Sequence, residues 1–484
     1  MNLLRWVNSF VNSDRDYPLL TGFMSGLYPM LFFYSGNYES INSIAHLCFF
    51  IGLFLVLPVV FFYAIYKTAA CFQKTARYQR HLLFVLVIEV TATFLSQVHY
   101  LTLKKKLLLG LLIVLVVLSK KFQNQYKKVV IFLMLLCIFP AAKVIYTFVS
   151  KQVCNPDRWM AQSDEIRSIK FTKTPNVYFI EPDGYAGQDA MGEKPYAYND
   201  TMFDYLKSKS FTIYSNTMSN YPASLASNAS MFGMKHHYLG KILESPFEME
   251  NARDIICGNN PVVEVFKRNQ YKTHFIVEDE YFQKNFSGGE YDFYNIHNSE
   301  IPYFSDDNSV KKDVYEDLKK CISARHKQSA PAFYFIEKLL PHHIALDGSG
   351  VENERVTYLR NLEKSNEFIR KTIDLIDQND PNAIVLIVGD HGGWVGIENI
   401  GEMFATKDPI LLRSIFSNLI AIRWNDPSHT KYDAHLQSNV NIFRILFAYL
   451  AQDTTLLQHL EKDDAYHIRQ HSLSKKPEKV LERR

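Results

Sequence analysis

The chain lacks the cysteine pattern of a disulfide scaffold or a zinc ribbon. Its six cysteines are spread over 484 residues. No two stand as C-x-x-C, which removes zinc-ribbon and thioredoxin-like readings. Cys48, Cys71 and Cys137 lie in or beside apolar runs, so Cys154, Cys257 and Cys321 leave room for at most one bridge elsewhere. An excess of one charge is missing too. Lys and Arg number 53 against 50 Asp and Glu, a formal net charge of +3, which gives no strongly basic face for nucleic acid. Internal repeats and low-complexity tracts are also absent. What the chain does have is a sharp division in hydropathy near residue 150.

Residues 1–150 carry five apolar stretches, Pro18–Tyr34, Ile44–Tyr66, His81–Leu101, Leu107–Ser119 and Val129–Phe148. Measured against the ~20 apolar residues a bilayer needs, they predict an all-α transmembrane bundle of about five helices. The first stretch is long and lacks a small-residue cleavage site, so it reads as an anchor and not as a signal peptide. Lys67, Lys74, Arg77 and Arg80 follow the second stretch, and Lys120, Lys121, Lys127 and Lys128 follow the fourth. With Arg5 and Arg15 they place those loops in the cytoplasm and the polar half outside it. Lys104, Lys105 and Lys106 fall on the opposite side, and the fourth stretch is short. Four spans would reverse the orientation. Glu89, inside the third stretch, is assigned no role.

The polar half divides into a linker at 151–173, a folded domain at 174–457 and a charged tail at 458–484. Strands are expected at Asn176–Ile180, Phe211–Tyr214, Thr273–Val277, Ala332–Ile336 and Ala383–Val388. Helices are expected at Phe203–Lys209, Pro261–Asn269 and Val356–Asp377. This alternation predicts an α/β domain with a mostly parallel sheet and flanking helices.

Two of the strands run into acidic turns, Glu181-Pro182-Asp183-Gly184-Tyr185 and Gly389-Asp390-His391-Gly392-Gly393. Open α/β sheets bind ligands at the carboxyl edge of their strands, and Asp with His offers mixed O/N ligation for a divalent metal such as Zn²⁺ or Mn²⁺. Between them, Ser219-Asn220-Tyr221-Pro222-Ala223-Ser224-Leu225 is rich in small residues and opens a helix near Ser224. There a serine either caps the helix or serves as a nucleophile. Pro341-His342-His343 follows another strand.

Strand-Asp183, Ser224 at a turn, Pro341-His342-His343 and strand-Asp390-His391 occur in the order of the alkaline phosphatase/sulfatase superfamily. More narrowly, the chain resembles membrane-anchored sulfatase-like proteins related to lipoteichoic acid synthase and phosphoethanolamine transferases. The resemblance rests on Asp183-Gly184-Tyr185-Ala186, on Asn220-Tyr221-Pro222 with Ser224-Leu225, on Leu339-Leu340-Pro341-His342, and on Val440-Asn441-Ile442-Phe443-Arg444. It implies one divalent ion, Zn or Mn, held by Asp183, Asp390 and His391 with Ser224 as fourth ligand and nucleophile. His342 would hold the substrate phosphate or protonate the leaving oxygen, with His343 as its neighbouring rival. The implied activity is transfer of a phosphoglycerol- or phosphoethanolamine-type group from a membrane lipid headgroup to an envelope glycan or lipid. Ser stands where the family usually has Thr; a second metal would need further Asp/His ligands, for which Asp433 and His435 are available without a specific setting, and one metal is expected. Two readings compete. A sulfatase proper would need a C/S-x-P-x-R segment, and Ser224-Leu225-Ala226-Ser227-Asn228 has neither the Pro nor the Arg. A silent glycan- or partner-binding membrane protein would need no metal.

Overall fold

A computed structural model describes residues 3–38, 43–153, 158–237, 247–249, 251–284, 288–304, 309–325, 330–467 and 478–482. The chain forms two compact units, Met1–Asn155 with Pro302–Asp306, and Pro156–Ile301 with Asp307–Arg484. Cys154 lies outside the described residues, and the five other cysteines are free thiols.

The first unit is helical. All five apolar stretches fall in helices: Pro18–Gly36, Ile44–Cys71, Gln79–Tyr100, Lys105–Phe122, and the pair Tyr126–Leu136 and Ile138–Val153. Among the described residues, three helical segments are long and apolar enough to cross a membrane: Ile44–Cys71, Gln79–Tyr100 and Lys105–Val149. The third is 45 residues long, about twice what one crossing requires, and a 3-10 turn at Gln123–Gln125 interrupts it among polar residues. Small residues bring two helices together, because a Cβ at Gly26 would lie 1.6 Å from the Phe54 carbonyl oxygen. Close backbone approach of this kind is how helices associate where water supplies no driving force. A polar knot ties the helix ends: Asp16 accepts from Arg80 Nε at 2.9 Å and from the Tyr126 and Tyr66 hydroxyls at 3.1 Å.

The second unit is built on a seven-stranded sheet of order β2-β7-β6-β1-β5-β3-β4. Its strands are β1 (Val177–Pro182), β2 (Thr212–Tyr214), β3 (Lys272–Ile276), β4 (Phe293–Tyr294), β5 (Ala332–Lys338), β6 (Ile384–Val388) and β7 (Ile420–Arg423). Pairing is parallel from β6 through β1, β5 and β3 to β4, and antiparallel where β7 joins β6 and β2. The sheet is mostly parallel, as expected; the one antiparallel strand, β7, lies between β2 and β6. Continuous apolar runs fit β1 and β6 because both faces are covered. Phe179, Phe335 and Leu386 face one core with Phe232 and Phe443, from helices Ser224–Gly233 and Ile442–Ala451. Tyr178, Ile336 and Ile387 face the other, with Leu362, Ile369 and Ile373 of helix Val351–Asn379.

The tail departs from a plain solvated end. Ala465–His467 pairs with Glu478–Leu481 as the β8–β9 hairpin, and Ala465 and His467 are buried. Tyr466 N donates to the Asn220 carbonyl at 2.9 Å, so the apolar and aromatic positions of this charged segment anchor it beside the Ser224 segment. Residues 468–477 and 483–484 lie outside the described residues.

The arginine of the Val440–Arg444 motif has a structural setting. Arg444 is buried and donates to Asp164 Oδ2 and Gln162 Oε1, both at 2.6 Å. Asp164→Ala would strand that charge, and breaking such a pair costs about 3–5 kcal/mol. The expected result is a matching fall in unfolding free energy, read by denaturant melts, with no change in metal content.

Candidate metal centre and nucleophile

Register places the two acidic turns together. Ile180 of β1 pairs with Ile387 of β6, and Asp183 and Asp390 each follow three residues later, so both emerge at one level of the sheet's carboxyl edge. Gly184 N then donates to Asp390 Oδ1 at 2.9 Å. Gly184 has φ +67°, and a Cβ there would sit 2.9 Å from the His342 carbonyl carbon and His343 N, so this turn requires glycine. The third segment joins through His342 N, which donates to the Asp183 carbonyl at 2.8 Å.

Asp183, Asp390 and His391 are buried, and one ligand atom from each lies within 4.8 Å of the others. His391 Nδ1 lies 2.8 Å from the Gly392 carbonyl. A carbonyl only accepts, so Nδ1 carries the proton and Nε2 turns its lone pair to the cluster. Nε2 stands 3.5 Å from Asp183 Oδ1, 3.4 Å from Asp390 Oδ2 and 3.4 Å from Ser224 Oγ. Asp183 Oδ1 and Asp390 Oδ2 are buried without a hydrogen-bond partner. Two orphaned carboxylate oxygens beside the His391 Nε2 lone pair fit a divalent cation, and the O/O/N set suits Zn²⁺ or Mn²⁺. Burial holds the Asp183 carboxyl above its usual range, against the opposing pull of His342.

Ser224 opens helix Ser224–Gly233, but Ala223 is the N-cap and no side chain caps it. Ser224 therefore does not cap the helix, and its Oγ faces His391. The same helix braces the Asp390 turn: Ser227 Oγ donates to the Asp390 carbonyl at 2.6 Å. Trp394 Nε1 donates to the Pro222 carbonyl at 2.9 Å, and its ring stacks on His343 at 3.7 Å. His342 Nε2 lies 3.5 Å from Asp183 Oδ2, with a side chain 45% exposed. Burial pulls the His342 pKa down, Asp183 pulls it up, and the net shift is upward. His343 is pushed well below its usual value by burial, with His342 and His391 adding to the effect. Asp433 is engaged by the Tyr214 hydroxyl at 2.6 Å and by His429 at 3.0 Å; neither it nor His435 enters the cluster.

Asp183, Ser224, His342, His343 and His391 line a cleft of about 560 Å³ that also takes in Asp279, Tyr281, Glu337 and Trp394. A larger cavity, about 890 Å³, lies in the helical unit, and its lining carries no carboxylate. Glu337 was not singled out from the sequence, although a signal existed. Phe179-Ile180-Glu181 and Phe335-Ile336-Glu337 are the same tripeptide in adjacent strands, and their glutamates are register partners. Both are buried with one oxygen unpartnered.

Burial, with neighbouring acids adding, raises the Glu337 pKa well above normal. A raised acid supports folding below the unfolded value of about 4.3 and loses that support as pH rises through the folded value. Glu337→Gln in chelator should therefore raise the melting temperature at pH 8 relative to wild type and leave it unchanged at pH 4. Thermal melts at both pH values check this.

No curated protein matches the chain. Among solved structures it is similar to the integral membrane lipooligosaccharide phosphoethanolamine transferase A of Neisseria meningitidis, at 14% identity and TM-score 0.43, covering 89% of this chain and 95% of that one. It is also similar to the zinc complex of the periplasmic domain of EptC from Escherichia coli, at 12% identity and TM-score 0.43, over 66% and 94% of the chains. A third is a Bacteroides thetaiotaomicron chain from a glycosaminoglycan-metabolism locus, at 12% identity and TM-score 0.41, over 59% and 74%. The sulfatase family model matches residues 176–441, which hold both acidic turns, Ser224 and the two histidines. Over more than half its length, then, the chain belongs to the sulfatase family.

Proposed function

We propose that the protein is a membrane-anchored, metal-dependent phosphotransferase or hydrolase with its catalytic domain outside the cytoplasm. It moves a phospho-substituted group of the phosphoglycerol or phosphoethanolamine type from a membrane lipid headgroup to an envelope glycan or lipid. The division into spans at 1–150, linker at 151–173, catalytic domain at 174–457 and tail at 458–484 belongs to this reading. The observation that carries it is the meeting of Ser224 Oγ with His391 Nε2, at 3.4 Å, beside two orphaned carboxylate oxygens.

Asp183, Asp390 and His391 would hold one Zn²⁺ or Mn²⁺, with Ser224 as fourth ligand. Such an ion, when bound, lowers the pKa of an adjacent hydroxyl and draws charge from phosphoryl oxygens. Ser224 Oγ, its proton lost to water, attacks phosphorus in line, and the bond from phosphorus to the lipid alcohol breaks. His342, which Asp183 pulls toward its cationic form, gives that alcohol oxygen its proton. His343, whose Nδ1 donates to the Ile344 carbonyl at 2.6 Å, meets the substrate through its ring and not as a donor to the phosphate oxygens. An acceptor hydroxyl, or water, then attacks the same phosphorus and returns a proton to His342, the bond to Ser224 breaks, and Ser224 Oγ takes a proton back from water.

The missing Pro and Arg after Ser224 argue against formylglycine chemistry and so against sulfate-ester hydrolysis. The test is diacylglycerol release by the full chain in detergent from phosphatidylglycerol and from phosphatidylethanolamine. Release from at least one, abolished by chelator, is expected. Hydrolysis of aryl sulfate with no diacylglycerol from either lipid would overturn the proposal.

A further inference from the structure

We propose that Tyr358 and Tyr196 are positioning residues that clamp the two ligand-bearing turns, so that Asp183, Asp390 and His391 stay gathered in one cluster. The inference rests on the metal reading above and concerns what holds the ligands in place.

Tyr358 lies in helix Val351–Asn379 and is fully buried. Its hydroxyl donates to the Gly184 carbonyl at 3.0 Å and accepts from Ala186 N at 3.3 Å. Both partners belong to the turn that carries Asp183. Its ring meets the other turn. A Cβ on Gly393 would lie 2.2 Å from Tyr358 Cε2 and 2.5 Å from Cζ, so the bare backbone at Gly393 lets the ring press on the segment after His391. Tyr196 holds that segment from a second direction. Its hydroxyl accepts from Gly393 N at 2.9 Å and donates to the Ser414 carbonyl at 3.2 Å. The two rings meet edge-on at 5.3 Å.

The two turns thus share one tyrosine pair in addition to the direct bond from Gly184 N to Asp390 Oδ1. Neither tyrosine lines the cleft, so each acts through the turns and not on the substrate. The need for a clamp follows from the site. Two buried carboxylates repel each other until a cation enters, and turns free to splay would relieve that repulsion by separating the ligands. Partners behind metal ligands are worth about 10–100-fold in metal affinity.

The test is titration of the metal-free full chain in detergent with Co²⁺, whose visible absorption reports ligand geometry, followed by Zn²⁺ competition. Tyr358→Phe and Tyr196→Phe are compared with Tyr432→Phe. Tyr432 is another fully buried tyrosine, whose hydroxyl donates to the Ala448 carbonyl at 3.1 Å. Tyr358→Phe and Tyr196→Phe should bind metal about 10–100-fold more weakly and shift the Co²⁺ bands. Tyr432→Phe should lower the melting temperature with affinity and bands unchanged. If all three lose stability alike while metal affinity and spectra stay at wild type, the tyrosines are ordinary core residues and the inference falls. Wild type that takes up no Co²⁺ or Zn²⁺ would remove the metal reading itself, a separate outcome. Should Tyr358→Phe not fold, Tyr196→Phe carries the same comparison.

Discussion

Ser224→Ala is expected to cut phosphodiester turnover by about 10⁴-fold or more, the scale on which removing a covalent nucleophile acts. The fold should survive, because Ser224 follows the N-cap and bonds no free backbone amide of its helix. Alanine there should change stability by no more than about 0.5 kcal/mol. Metal should remain, since both carboxylates and His391 are untouched. Loss of turnover with retained metal would separate a nucleophile from a structural serine. Ser224→Thr supplies the residue usual in the family the chain resembles and should keep activity. Activity in Ser224→Ala close to wild type would end the covalent mechanism.

Asp390→Asn is expected to abolish metal binding and leave the turn intact. Asp390 Oδ1 accepts from Gly184 N and His391 N, and an asparagine oxygen can keep both bonds. The change falls on Oδ2, the orphaned oxygen, where an amide nitrogen cannot ligate. Metal at 100 times its dissociation constant adds about 2.7 kcal/mol to folded wild type, so wild type should melt well above its chelated form. The variant should show no such rise. In chelator it should melt at or above wild type, because Asp390 is one of the charges that push the Asp183 pKa up. Melting curves with and without Zn²⁺ check both arms. A rise in Asp390→Asn equal to wild type would place the metal elsewhere.

The elements that bear the site were legible where local pattern decides. Apolar runs ending in Asp183 and Asp390 could only be buried strands with their polar ends at an edge, and the small residues around Ser224 marked a helix start. The helix expected at Val356–Asp377 runs from Val351 to Asn379, starting more than a turn earlier and ending within a turn of the expected end. What pattern could not supply was pairing. Nothing local says that Ile180 stands opposite Ile387, and that register is what makes two separate turns into one cluster. Tyr358 was illegible for a related reason. It sits on the apolar face of a long amphipathic helix, where a tyrosine looks like any core residue until its hydroxyl is seen against Gly184. Strand β7 was missed although Ser417-Asn418 and Asn425-Asp426-Pro427 bracket it; Ile420–Arg423 is only four residues long, too short for its apolar pattern alone to separate strand from helix. The β8–β9 hairpin was hidden by the charge around it. Glu181 and Glu337 needed only the repeated Phe-Ile-Glu to be noticed, and their burial required the sheet.

The most direct measurement is mass-spectrometric mapping of the full chain after incubation with a phospholipid donor and no acceptor, with and without chelator. The account predicts a phospho-substituted adduct on the peptide containing Ser224, present with metal, absent with chelator and absent in Asp390→Asn. Diacylglycerol accumulating from metal-loaded protein with Ser224 unmodified, or with the adduct on another residue, would contradict it.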